Sequence, residues 1–391
     1  MNAIHVINSK STLLAICLMM VVSLGTLQIQ PVLGGALVDQ LGIPLPAIGS
    51  IFATELMAMA MASGISALLV TRLDRRLFVR VALIILVLAN LLSTQMHDWS
   101  GLLLVRMVAG ASGGAVMAVV LANATLRSNK DATFAMINIA NLLWGTLTVT
   151  SLPLILANFG VKGAFLAMAL AVAFSLLGTG RVPRRLDVAL QETTDNKHAF
   201  GATAMLLLLL FALLFMGHSA LWVYQERIGK SIGLLPEQIG AILGGSILAG
   251  AVGAGLAGLL GKRLGVLIPQ LIGFGGALVA TLLMVNGTSP AAFAITACLI
   301  HMVWFFSLPY LLSMAAELDP SGRLPGLGNA AIFIGQGIGP FCASLLVGDG
   351  HFRAVGWFAA AVYCLGIVIS CVVAAHFRQR RSLINAEPSL V

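Results

Sequence analysis

The chain has 391 residues and a formal net charge of +8; 59% of its residues are hydrophobic and only 9% charged. Soluble domains carry roughly 25% charged residues, so a mean hydropathy of +1.01 excludes a water-solvated surface over most of the molecule. The basic residues stand singly or in short clusters between apolar runs, which argues against a nucleic-acid partner and for a lipid bilayer.

A spanning helix needs roughly 20 apolar residues. The apolar runs predict twelve, near 12–37, 46–70, 77–96, 100–125, 132–157, 161–180, 200–225, 236–260, 264–286, 290–315, 325–347 and 353–376. The first run is too long for a signal-peptide core and is read as a retained helix. With an even number of spans, both termini fall on one side. Connectors on that side hold 17 of the 22 Lys and Arg, while Lys162, Arg227, Lys230 and Arg353 fall opposite and Arg106 lies inside a span. Lys and Arg concentrate in cytoplasmic connectors. The expectation is a multi-pass protein of the plasma membrane, of bacterial inner-membrane type, with cytoplasmic termini.

The longest polar connector, RVPRRLDVALQETTDNK from Arg181 to Lys197, divides six spans from six. The predicted organisation is an N-terminal six-helix bundle over 1–180, a linker over 181–199 and a C-terminal six-helix bundle over 200–391. Internal repetition agrees. ALLVTRLDRR at 67–76 aligns with GLLGKRLGVL at 258–267, an offset of 191 that also carries Asn138 onto Asn329.

Three local patterns carry a resemblance. Between spans two and three, Ala67, Thr71, Arg72, Asp74, Arg75 and Arg76 partly fill a Gly-to-Asp-Arg connector pattern, and Gly258, Lys262, Arg263 and Gly265 repeat it in the second half. In span four, RMVAGASGGA sets Arg106 four residues before Gly110, with Gly113 and Gly114 following. In span eleven, GQGIGP places Gly335, Gly337, Gly339 and Pro340. Together these resemble signatures of the major facilitator superfamily, and the drug and sugar efflux branch most. The resemblance implies an all-α integral membrane protein of twelve helices in two pseudo-symmetric six-helix bundles. It further implies a monomer that moves a small-molecule substrate by alternating access, with Arg72, Asp74, Arg75, Lys262 and Arg263 as a conformational gate. The first-half segment NLLWGTLTVTSLP lacks the Gly-Pro pattern of the family's antiporters.

Of the fourteen acids, Glu55 alone lies deep within a span. An ionised carboxylate at that depth is costly. It either carries a coupling proton or is satisfied by a neighbour such as Arg106. Arg106 in turn is read as a partner of Glu55, as a site for an anionic substrate, or as a packing anchor. Gln28, Asn141, His301 and Gln336 fall at similar middle depth, and span seven brings His218 one turn from Trp222. The resemblance places spans one, four, seven and ten around the cavity, so Gln28, His218, Trp222, His301 and Trp304 are expected there, with Asn141 and Gln336 flanking. Aromatic stacking on a substrate and plain packing remain alternatives for the tryptophans.

Five cysteines sit inside apolar runs without ligand spacing, and no metal site is expected. No P-loop and no nucleophile–base set stands out, so neither a cofactor nor an enzyme is expected. The reading is a proton-coupled secondary transporter exporting a small organic compound. The alternatives are an importer of a small metabolite and a carrier-like sensor.

Overall fold

The computed structural model describes residues 7–69, 73–184, 201–319 and 323–386. Its regular elements are helices, with no strand among the described residues. The spans are α1 (Lys10–Leu41), α2 (Leu45–Leu69), α3 (Arg75–Ser93) and α4 (Trp99–Ala124). A single run, Lys130–Ser175, holds α5 (130–159) and α6 (161–175). They are followed by α7 (Ala202–Trp222), α8 (Pro236–Leu260), α9 (Leu267–Asn286), α10 (Pro290–Leu318), α11 (Arg323–Leu346) and α12 (Phe352–Ala386).

Short polar side chains start these helices by taking orphan backbone N–H groups. Ser9 accepts from Thr12, Asp74 from Leu77, Asp98 from Gly101, Asn129 from Ala132 and Ser289 from Ala292. Gly42 ends α1 in the left-handed conformation at φ 65°. Gly160, at φ 64° and ψ −168°, breaks α5 from α6. Only glycine adopts that backbone without strain. It turns the chain where the sequence reading leaves a gap between spans five and six. The seventh span is shorter than expected: α7 stops at Trp222, and a separate short helix, Gln225–Ser231, follows.

Without a hydrophobic drive between helices in lipid, close packing of small residues supplies the contact. A Cβ on Gly110 or Gly114 of α4 would overlap the backbone carbonyl of Glu55 or Met59 on α2. The second half repeats the device: Gly253 of α8 faces the Met302 carbonyl of α10. In the GQGIGP segment, Gly335 and Gly339 press on the Ala212 and Met216 carbonyls of α7, while Gly337 meets Met57 of α2. One face of that motif therefore holds its own half and another face meets the opposite half.

Contacts between α1–α6 and α7–α12 run mainly through α2 with α11 and α5 with α8. They gather toward the face opposite the chain termini. Gly49 packs on the Pro340 carbonyl and Gly240 on the Val149 carbonyl. These two contacts are related by the 191-residue repeat, the separation that also joins Asp39 to Lys230. The pseudo-two-fold relation expected from the sequence thus reappears as matched contacts.

Candidate functional site

Arg106 is the most fully engaged polar side chain of the first six helices, and it is 1% exposed. Its Nη2 and Nε grip both carboxylate oxygens of Glu55, the Nε–Oε2 distance being 3.2 Å. Nη1 donates to Asn90 Oδ1 at 2.9 Å and Nη2 to Thr26 Oγ1 at 2.6 Å. The guanidinium also lies 5.6 Å from the ring centre of Phe165. A charge at this depth is tolerable only when paired and fully hydrogen-bonded, and this pair meets both conditions. The hub ties together α1, α2, α3, α4 and α6. Of the sequence alternatives for Arg106, the structure shows the Glu55 partnership; Thr26 and Asn90 went unrecognised because depth along a span does not fix which way a helix face turns.

The second cluster lies between α7 and α10. The His218 and Trp304 rings stack with centres 4.2 Å apart and planes 7° from parallel. His301 sits edge-on to His218 at 4.9 Å and to Trp222 at 5.0 Å. Its Nδ1 lies 3.3 Å from the Ala297 carbonyl, which favours a proton on that nitrogen. Trp222 Nε1 donates to the Leu27 carbonyl of α1 at 3.1 Å, a bond from one half to the other. His218 Nε2 and Trp304 Nε1 are buried without a hydrogen-bond partner. So are both side-chain amide atoms of Gln30 and of Gln225, together with Asn141 Oδ1 and Gln336 Oε1. Buried polar atoms are rarely left unpaired; these six side chains lie on α1, α5, α7, α10, α11 and the short helix Gln225–Ser231, while Asn123 on α4 and Gln270 on α9 hold others. The sequence reading assigns no role to Gln30, two residues beyond Gln28, or to Gln225.

The remaining expected residues are dispersed. Gln28 faces α5, where its side chain fills the space a Cβ on Gly145 would need. Asp74 serves as the cap of α3, and the Arg75 backbone N–H bonds the Arg184 carbonyl at 2.9 Å. Arg263 is exposed. Arg72 and the Lys262 side chain lie outside the described residues, as does most of the predicted linker. A crevice of about 200 Å³ lies among α1, α5 and α6, lined by Gly25, Trp144, Thr148, Ser151 and Met168. It belongs to the first six helices alone and does not touch the aromatic cluster. No grouping of metal-ligating residues occurs among the described residues.

A sequence profile described as Major Facilitator Superfamily matches residues 12–325. The chain belongs to the major facilitator superfamily. Solved structures agree at the level of fold. A mutant form of the nucleoside transporter NupG superposes with a TM-score of 0.75 at 12% identity, over 93% of this chain and 98% of that one. NupG without that mutation gives 0.71 at 14%, over 96% and 99%. A bacterial homologue of the human lysosomal transporter Spinster, inward-facing and unoccupied, gives 0.67 at 14%, over 93% and 95%. Curated proteins yield no match. The family assignment makes this a multi-pass membrane transporter rather than an enzyme.

Proposed function

We propose that the protein is a proton-coupled secondary transporter that exports a small organic compound as a monomer, by rocking two six-helix halves about a central site. The observation that carries this reading is one-sided closure. The contacts joining the halves gather at the face opposite the termini, through Gly49 on Pro340 and Gly240 on Val149, with Ser50 Oγ 3.3 Å from Ser344 Oγ. The excess of Lys and Arg on the terminal side supports placing the termini in the cytoplasm. A shape closed on the far side leaves the central site open toward the cytoplasm, one of the two states that alternating access requires.

The aromatic cluster and the unpartnered amides of Gln30 and Gln225 suit a neutral, planar compound carrying both donors and acceptors. His218, Trp222, His301 and Trp304 would stack on it, with Asn141 and Gln336 at the flanks. Asp74, Arg75 and Arg263 are proposed to close the terminal face in the opposite state. Glu55 and Arg106 hold the first half together. Their described partners Thr26 and Asn90 belong to α1 and α3, so rigid rocking leaves these bonds unchanged.

The test uses cells stripped of their main efflux systems, expressing the native protein, Trp304→Ala or an empty vector at matched levels. Tolerance and excretion of a panel of planar compounds should rise with the native protein and fall back with Trp304→Ala. No difference between native and empty vector would overturn export. Uptake of labelled compound by intact cells would then favour the second reading, import.

A further inference from the structure

Four charged side chains close the face opposite the termini, and they belong neither to the Arg106 hub nor to the aromatic cluster. Asp39, near the end of α1, accepts from Arg227 Nη1 and Nη2 at 2.8 Å each and from Lys230 Nζ at 2.6 Å. Arg227 also grips Glu226 beside it, Nε to Oε2 at 2.5 Å and Nη2 to Oε1 at 2.9 Å. Glu226 is only 6% exposed. It packs against α1 at Gly35, where any Cβ would overlap the carboxylate. Two carboxylates from opposite halves therefore share one guanidinium, in a contact that exists only while the halves meet.

We propose that Glu226 is a proton-binding carboxyl of this gate, protonated when α1 and the α7–α8 connection close together and deprotonated when they part. The proposal deepens the alternating-access reading above and rests on it. A proton biases two states only if they bind it unequally. Glu226 meets this condition, because its surroundings come half from α1 and half from the short helix Gln225–Ser231. Parting the halves hydrates Glu226 and releases Arg227 from Asp39, and both changes favour the ionised carboxylate. In the closed arrangement, burial raises the Glu226 carboxyl above its ordinary 4.5, against the pull of Arg227; Asp39 adds to the rise and Lys230 opposes it. Those three are the charged groups acting on it. With the carboxyl raised in the closed state, closure is fully favoured below the ordinary value and weakens as pH climbs through the raised one. Gly35 fits the same logic: it lets the carboxyl seat dry against a helix backbone, where water would otherwise level the two states.

The experiment uses the full chain with its five cysteines replaced and spin labels at Lys162→Cys and Glu237→Cys, both exposed on the face opposite the termini. Distances between the labels are read in lipid nanodiscs from about pH 4.5 to about pH 8, the span over which a raised carboxyl titrates. The native protein should hold a short distance in acid and gain a longer component as pH rises. Across the raised pKa the open-to-closed ratio should grow by up to about tenfold per pH unit. Glu226→Gln, an uncharged stand-in for the protonated carboxyl, should keep the short distance at every pH. Asp39→Asn, which frees Arg227 and Lys230, should show the longer component even in acid. If Asp39→Asn opens while the native protein ignores pH, or if Glu226→Gln still follows pH as the native protein does, the proton assignment is overturned and alternating access stands. If all three chains stay short at every pH, alternating access itself fails and the proposal falls with it.

Discussion

Arg106 makes its bonds inside a span, where water cannot replace a lost partner. Glu55→Ala or Arg106→Ala would each strand a buried charge. The cost of breaking such a pair is about 3–5 kcal/mol, so each variant should unfold at a clearly lower temperature in detergent than the native protein. Glu55→Leu combined with Arg106→Met should recover most of the loss, because a buried ion pair and an apolar pair of similar volume are often close in stability. A double variant as unstable as the singles would assign the pair a role beyond satisfying its own charge. That Glu55 meets Arg106 was one of the alternatives readable from depth along the spans. The gate of Asp39, Glu226, Arg227 and Lys230 was not, since charges near span ends read equally well as solvated connectors. A usable signal existed: Asp39 and Lys230 carry opposite charge at the repeat separation of 191.

Glycine spacing decides how the helices meet. On α4, Gly110 and Gly114 lie one turn apart and share a face, and both let α4 approach the backbone of α2. Gly114→Leu should therefore push the two helices apart and cost well over the roughly 1–3 kcal/mol of ordinary overpacking, because backbone cannot repack. Loss of the monodisperse peak in size-exclusion chromatography checks this, with Gly64→Leu as a control, since Gly64 has open space around it. The Arg-to-Gly and Gly-Pro patterns in spans four and eleven were legible in the sequence because small residues at helical spacing have few other uses in lipid. The early end of α7 was not. An apolar run continues through Val223 and Tyr224, and only tertiary packing shows that the backbone turns there, at φ −106° and ψ 2° for Tyr224.

At the scale of the molecule, twelve helices and two matched halves followed from hydropathy and from one repeat separation. Which face is closed did not follow, because the same sequence must serve both states of a transporter. Closure opposite the termini brings Ser50 within 3.3 Å of Ser344 across the halves. Ser50→Cys with Ser344→Cys, oxidised to a disulfide in an otherwise cysteine-free chain, should abolish transport, and reduction should restore it. Transport that continues through the oxidised state would show that these helices need not part during the cycle.

The chain turns back sharply on the closed face. Only Gly42, Ile43 and Pro44 join α1 to α2, and α6 leaves α5 at the single residue Gly160. A protease must draw a stretch of extended backbone into its cleft, and turns this tight offer none. In sealed vesicles, cleavage should therefore depend on which way the protein is inserted. Protease on the closed-face side should spare the joins at 42–44 and at Gly160 and cut the first six helices only at 94–98, the exposed loop between α3 and α4. The same molecule thus carries its own marker of orientation, readable on a gel.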